Sequence, residues 1–130
     1  MRVVIDSSVY IDWLKRREQF VPLLMPILKR EALLVCGLIR CEVLRGIRDP
    51  AQQSRMDDCF SLAVDIPLDG TYWDGVWQLG WKMDRRGIVL PLTDLCIAHL
   101  AMSQNATLIT TDRHFSAIAG LKTMSKLSGD

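Results

Sequence analysis

Short apolar runs without polar alternation set the strongest limit on the fold of this chain. The first, RVVI at 2–5, is rich in β-branched residues, which is typical of a strand buried on both faces of a parallel sheet. Two similar runs follow, ALLVC at 32–36 and TLIT at 107–110. Because helical patterns separate these runs, the sequence predicts an α/β fold: a three-layer α/β/α arrangement with a central, mostly parallel sheet.

The segments between these runs have the apolar spacing of helices. We predict a first helix capped by Ser7 or Ser8, a second after Pro22, and a long one over 71–86. The other predicted elements are a helix over 38–48 ended by Asp49 and Pro50, a helix over 51–63, a short strand within 62–68, a helix capped by Thr93, and a last short strand at 121–124.

Length and composition indicate a single domain that spans residues 1–130, since 49% of its 130 residues are hydrophobic and 24% are charged. The net charge of +1 favours no partner, although residues 1–48 sum to +4 and residues 49–130 to −3. Such a division suits a molecule that binds a polyanion on one side and a cation elsewhere. It is equally consistent with ordinary solvated surface charge.

The four cysteines lack a C-x-x-C pair, which argues against a zinc site. No apolar segment suits a leader or a membrane span, so we expect a cytoplasmic protein without membrane contact.

Four acidic residues lie just after predicted strands or in the helices that follow them. Asp6 and Asp112 come just after apolar strands, Glu42 lies inside the helix after the second strand, and Asp94 directly follows Thr93 at a helix start. If the three strands are neighbours, these acids converge beyond the carboxyl ends of the sheet. Converging carboxylates repel each other unless a cation is present, and oxygen ligands alone suit Mg²⁺ or Mn²⁺. The pattern favours metal-dependent phosphodiester cleavage.

Each acid also has a purely structural explanation. Asp94 could stabilise a helix N-terminus, Glu42 could pair with Arg45 on a helix surface, and Asp112 could cap the turn before His114. Asp6 is harder to explain in this way, because a carboxylate next to a buried strand needs a partner.

Four motifs in this order resemble the PIN-domain nucleases, specifically the VapC-type toxins of toxin–antitoxin pairs: VVIDSSVYI, CEVLRG, LPLTDLCIAHLA and LITTDRHF. The resemblance covers nearly the whole chain. It implies a metal-dependent endoribonuclease and a dimer, or a hetero-oligomer with a small antitoxin that inhibits it. Ser8 is a departure, because the family usually has Asn at that position.

The resemblance also implies roles for individual residues. Asp6, Glu42, Asp94 and Asp112 would form the catalytic acidic cluster, with Asp6, Asp94 and Asp112 as Mg²⁺ ligands and Glu42 orienting the water that attacks RNA. Ser7 would be the hydroxyl that the family places after its first Asp. We assign substrate contacts to Ser7 and Arg45. Further candidates for phosphate contacts are Arg40, Arg48 and residues 15–17, and the alternative for these basic residues is a solvated helix surface.

Trp73, Trp77 and Trp81 recur at four-residue spacing, which favours a core or subunit-interface stripe over a surface that stacks RNA bases. His99 is expected in the core, and His114 near the acids but outside the catalytic set.

Two other functions remain as alternatives. A haloacid dehalogenase-like phosphatase also has an Asp after its first strand, but it needs a second acid where this chain has Ser8. A non-catalytic module that binds RNA or protein with a PIN-like fold would gain nothing from clustered acids that face phosphates without a metal.

Overall fold

The computed structural model describes residues 1–127, which form a five-stranded sheet with six α-helices. The strands are β1 Val3–Ile5, β2 Leu33–Val35, β3 Val64–Asp65, β4 Thr107–Ile109 and β5 Thr123–Met124. Their order is β3-β2-β1-β4-β5, and every neighbouring pair is parallel. The three apolar runs are therefore adjacent, as predicted, and every residue of β1, β2 and β4 is buried.

The helices are α1 Ser7–Lys15, α2 Phe20–Lys29, α3 Gly37–Arg45, α4 Pro50–Leu62, α5 Gly70–Arg85 and α6 Leu92–Ser103, and a 3₁₀ helix spans Arg113–Ala117. From β1 the chain moves outward to β2 and β3 through α1–α4, and α5 and α6 then bring it back across to β4. When crossovers are right-handed, connections that run in opposite directions across a sheet place their helices on opposite faces. The two helix groups accordingly cover two faces, and the predicted three-layer α/β fold is confirmed.

Several predicted helix boundaries were wrong. Asp6, not a serine, occupies the N-cap of α1, and α2 begins at Phe20, so Pro22 lies in its first turn, where the backbone N–H groups have no partner within the helix. Helix α3 ends at Arg45, and Asp49 instead caps α4 by accepting a hydrogen bond from the Ala51 N–H at 3.1 Å.

Helix α6 also begins earlier than predicted. Its N-cap is Pro91, so Thr93 is not the capping residue and Asp94 is the third helical residue rather than the first. Asp94 nevertheless remains in the first turn, where the helix dipole favours a carboxylate.

The tryptophans of α5 do not belong to the core, which contradicts one of the two structural expectations for them. The buried face of α5 consists instead of Tyr72, Val76, Gly80 and Met83. His99 of α6 is half-buried against the Tyr72 ring, 5.1 Å between centroids, and burial lowers its pKa.

Among residues 1–127, no helix is both long and apolar enough to cross a membrane. That residues 1–130 make up one domain stays a prediction, and residues 128–130 lie outside the described part of the chain.

Candidate active site

The candidate site lies where the strand order reverses. The chain leaves β1 in one direction towards β2 and β3 and returns on its other side as β4, so the reversal lies between β1 and β4. In parallel sheets, the crevice beyond the carboxyl ends of such strands is the usual place for functional groups. The pairing of Ile5 with Ile109 puts the next residues, Asp6 and Thr110, side by side at that point.

Asp6 is a buried carboxylate that two hydroxyl groups hold in place. Its side chain is only 6% exposed. Ser8 Oγ donates to Asp6 Oδ2 at 2.7 Å, and Thr110 Oγ1 donates to the same oxygen at 2.9 Å. Ser8, the residue that departs from the family pattern, thus makes a direct hydrogen bond to Asp6. Both donors are neutral, so the charge of Asp6 is not balanced by these bonds.

Glu42 enters the site from α3, which packs against α1. Ser7 Oγ, itself buried, donates to Glu42 Oε1 at 2.8 Å. Glu42 is therefore bound to the residue that follows Asp6 rather than displayed on a helix surface beside Arg45.

Asp112 follows β4 and has the capping role that was considered for it. It is the N-cap of the 3₁₀ helix, and its Oδ1 accepts from the His114 N–H at 2.9 Å and lies 3.0 Å from His114 Nδ1. The Asp112 N–H in turn donates to Thr110 Oγ1 at 3.1 Å. The Thr110 hydroxyl therefore links Asp6 and Asp112.

Asp94 approaches from the first turn of α6, and its surroundings disfavour its charged form. Burial raises the pKa of Asp94, and the negative charges of Asp6, Asp112 and Glu42 raise it further, while His114 acts in the opposite direction. Asp94 is therefore near enough to Asp6, Asp112 and Glu42 for their charges to disfavour its own.

The donor atoms suit a hard divalent cation. All four side chains offer carboxylate oxygens, and within residues 1–127 none of Asp6, Glu42 and Asp94 forms an ion pair with Lys, Arg or His. A cation would supply the missing positive charge. In the described part of the chain, no three acidic, His or Cys side chains are gathered closely enough to hold an ion as they stand. Binding by Asp6, Asp94 and Asp112 together would thus require at least one carboxylate to turn towards the ion.

The arginines of α3 differ in their surroundings. Arg40 is directed towards Asp57 and Asp65, at 3.9 Å from each carboxylate, whereas Arg45 is exposed at the end of the helix that contains Glu42. Arg16, one of the other candidates for phosphate contacts, pairs with Asp12 at 2.9 Å. Arg45 is therefore more available to a substrate than Arg40 or Arg16.

Thr110 is the site residue that the sequence reasoning missed. A partial signal was present, since Asp6 directly follows the run RVVI and Thr110 is the last residue of TLIT, a run predicted to lie beside it. Threonine is itself a common strand residue, so TLIT was interpreted as strand to its end.

The chain belongs to the PIN-domain family, whose family model matches residues 3–121. No curated protein matches the chain in sequence.

Several solved structures share this fold at low sequence identity. VapBC2 from Rickettsia felis, bound to a DNA fragment from its promoter, is 19% identical with a TM-score of 0.77, and the match covers 95% of this chain and 98% of that one. DNA-bound VapBC from Salmonella typhimurium is 18% identical with a TM-score of 0.77, covering 95% and 97%. VapBC-5 from Mycobacterium tuberculosis, a member of the VapBC family of toxin–antitoxin systems, is 20% identical with a TM-score of 0.65, also covering 95% and 97%. At these identities the likeness establishes the fold.

Proposed function

We propose that this chain is a metal-dependent endoribonuclease and the VapC-type toxin of a toxin–antitoxin pair. The observation that supports this most strongly is the group of four neighbouring carboxylates at the strand-order reversal, three of which have no basic partner within residues 1–127. A protein without a cation or a cationic ligand would gain no stability from such a group.

Mg²⁺, or Mn²⁺ in its place, would neutralise these charges and polarise a phosphate oxygen and a water molecule. Asp6, Asp94 and Asp112 are the residues that would hold it. Asp6 is already oriented by Ser8 and Thr110, so its position costs little further ordering when a ligand binds.

Glu42 is suited to act on the attacking water. Ser7 fixes its Oε1 oxygen at 2.8 Å, and its carboxylate can accept a proton from the water as it attacks a phosphate of RNA. The attacking and leaving oxygens are in line, the bond between phosphorus and the 3′ oxygen breaks, and the 3′ oxygen takes a proton from solvent, which leaves a 5′-phosphate and a 3′-hydroxyl. Ser7 then acts on the substrate through Glu42, and Arg45 is the candidate for a direct contact with an adjacent phosphate.

A protein antitoxin is the second part of the proposal. The similar chains are parts of toxin–antitoxin systems or of VapBC complexes, and the match spans nearly the full length of each. We therefore propose that a small protein binds this chain and suppresses its cleavage of RNA.

The test is cleavage of total RNA by the purified chain, followed by sequencing of the new ends. We expect cleavage in Mg²⁺ or Mn²⁺, none in EDTA, and a loss of at least about a hundredfold in Asp6→Asn and Asp94→Asn, because each loses a charge that only the bound cation balances. Asp84→Asn is the matched control, since it removes an exposed carboxylate on α5 and should cleave normally.

If Asp6→Asn and Asp94→Asn cleave as fast as the unsubstituted chain, the proposed catalytic site is wrong. RNA binding that is unaffected by EDTA and never followed by cleavage would favour the non-catalytic binding module instead. Growth arrest on expression, relieved by a co-expressed neighbouring gene product, tests the toxin assignment separately from the chemistry.

A further inference from the structure

A cavity of about 260 Å³ lies between α1 and the segment that follows β5. Residues three or four apart on one side of α1 line it, namely Val9, Asp12, Trp13 and Arg16. Residues 125–127 also line it. Pockets for drug-sized molecules measure about 300–1,000 Å³, so this cavity suits a single small ring system.

The cavity borders the candidate active site. Thr111, one of its lining residues, lies directly between Thr110 and Asp112. On α1 the lining begins at Val9, whose N–H donates to the Asp6 carbonyl oxygen at 2.9 Å. A phosphate bound at the acids would therefore have an adjacent sugar and base near this cavity.

The apolar part of the cavity is formed by side chains that are already fixed. Trp13 is only 7% exposed, and its ring meets the Tyr10 ring edge to face with 5.6 Å between centroids. Val9 is buried beside it, and Leu23 of α2 adds an exposed side chain. A flat ring can pack here with little ordering of the protein, which is a condition for selective binding.

The charged part of the cavity offers both a hydrogen-bond acceptor and a donor. Asp12 and Arg16 pair with each other at 2.9 Å, whereas within residues 1–127 neither Glu18 nor Lys126 forms an ion pair. A carboxylate can accept two parallel N–H groups at once. Among the four RNA bases, guanine alone has two adjacent N–H groups on its Watson–Crick edge, beside a carbonyl oxygen that an ammonium group can contact.

We propose that this cavity binds an unstacked guanine base of single-stranded RNA. Glu18 accepts from the guanine N1 and N2 groups, Lys126 donates to O6, and Trp13 packs against the ring. The base belongs to a nucleotide next to the phosphate at the acids, so the cavity selects where the strand is cut. The inference rests on the proposed function for the identity of the ligand as RNA, while the preference for guanine comes from the cavity.

The negative charge of Glu18 does not exclude an RNA strand from this region. Residues 15–17, which are Lys-Arg-Arg, directly precede Glu18 and are exposed. Basic side chains at these positions can contact the phosphates while the carboxylate contacts the base. A uniformly basic surface would bind RNA without such a distinction between backbone and base.

The test is the binding of short oligoadenylate strands that carry one central guanine, cytosine or uracil, or none. Fluorescence anisotropy in EDTA measures binding without the cation that the proposed cleavage needs. We expect the guanine strand to bind about ten- to hundredfold more tightly than the others. In Glu18→Gln this preference should fall to within about threefold, because an amide has one acceptor oxygen and cannot accept both N–H groups in the same way.

Glu31→Gln is the matched control. Glu31 is an exposed acid that precedes β2, whereas the cavity lies by residues that follow β1 and β4, so the two acids are at opposite edges of the sheet. Ser125→Trp is a second variant, which should remove the preference by filling the cavity from an exposed position. Circular dichroism should show an unchanged helical signal in all three variants.

The inference and the proposed function can fail separately. Sequencing of the ends produced in Mg²⁺ should show guanine at one fixed position relative to the cut, and this enrichment should be lost in Glu18→Gln. Cleavage without any preference for guanine in cutting or binding would overturn the inference and leave the nuclease function intact. Binding that prefers guanine and depends on Glu18, in a chain that never cleaves, would support the cavity and overturn the nuclease function.

Two further results would overturn the inference. A preference for guanine that survives both Glu18→Gln and Ser125→Trp would place the base elsewhere on the protein. An equal loss of binding in Glu18→Gln and Glu31→Gln would show an effect of overall charge rather than of this cavity.

Discussion

At the scale of single residues, the hydroxyl of Thr110 is the group that connects Asp6 to Asp112. It donates to the buried Asp6 carboxylate and accepts from the Asp112 N–H, so both residues depend on one oxygen atom. A buried carboxylate that loses a donor retains the cost of its desolvation, which makes such bonds more important than their net strength suggests.

We expect Thr110→Val to lower the free energy of unfolding by about 1–3 kcal/mol, because valine keeps the shape but removes both hydrogen bonds. Thr110→Ser keeps the hydroxyl and should lose less than about 1 kcal/mol, a loss set by one missing methyl group. Urea denaturation measures both. In RNA cleavage, the valine variant should be about 10- to 100-fold slower and the serine variant close to normal, since the group acts by orienting a ligand. Equal stability of the two variants would show that the hydroxyl does not hold Asp6.

The positions of the acids were predictable at this scale, whereas their hydrogen bonds were not. Asp6 and Asp112 follow strands whose apolar character is plain in the sequence, so their place at one edge of the sheet follows from the fold. The bonds of Ser7 to Glu42 and of Ser8 to Asp6 depend on the side-chain directions at the start of α1, which no pattern of residue types specifies.

At the scale of elements, α5 and α6 approach each other through glycines. A Cβ atom built on Gly75 would lie 2.1 Å from the His99 ring, and one on Gly80 would lie 2.9 Å from Leu95 Cδ1. The His99 ring is held against Tyr72, whereas the end of a leucine side chain can turn aside. An added methyl group is therefore harder to accommodate at Gly75 than at Gly80.

Gly75→Ala should destabilise the protein by about 1–3 kcal/mol, because overpacking outweighs the gain in helix propensity. Gly80→Ala should be near neutral, within about 1 kcal/mol, since the gain of about 1 kcal/mol from alanine offsets a small displacement of Leu95. Thermal and urea unfolding measure the difference. A Gly75→Ala variant as stable as Gly80→Ala would mean that the His99 ring moves freely.

The same helix shows why one prediction about α5 was wrong. Two stripes run along it at nearly the same spacing, one of tryptophans and one that contains Tyr72, Val76, Gly80 and Met83. Periodicity predicted a helix correctly but could not decide which stripe is buried, and the larger apolar residues suggested the wrong one. The close approach to α6 decides it, since a stripe with a glycine admits the neighbouring helix and a stripe of indoles does not.

At the scale of the whole molecule, the acid cluster costs stability unless a cation binds. The pKa of Asp94 is raised in the folded state, so the folded chain holds this proton at higher pH than the unfolded chain, whose value is near 3.8. Stability therefore falls as the pH rises from that value through the folded pKa, and the full penalty is present above it. The fold places the carboxylates together in spite of this cost, which is common where ligand binding matters more than stability.

We therefore expect Asp94→Asn to raise the melting temperature at neutral pH in EDTA, by a few degrees, because it removes a charge that burial and three neighbouring acids disfavour. In Mg²⁺ the order of the two melting temperatures should reverse, with the unsubstituted chain melting above Asp94→Asn. At a hundredfold excess over its dissociation constant, a ligand specific for the folded state adds about 2.7 kcal/mol to the unsubstituted chain, and the variant should gain much less.

Differential scanning calorimetry in EDTA and in Mg²⁺, with NaCl at matched ionic strength as the salt control, measures these shifts. Asp84→Asn should follow the unsubstituted chain in every condition, because Asp84 is exposed and is not among the charges that raise the pKa of Asp94. A lower melting temperature for Asp94→Asn in EDTA would show that this carboxylate stabilises the fold, as a helix N-terminal acid would. Equal gains from Mg²⁺ in both proteins would place the cation elsewhere, because a ligand stabilises the folded state only through the residues that bind it.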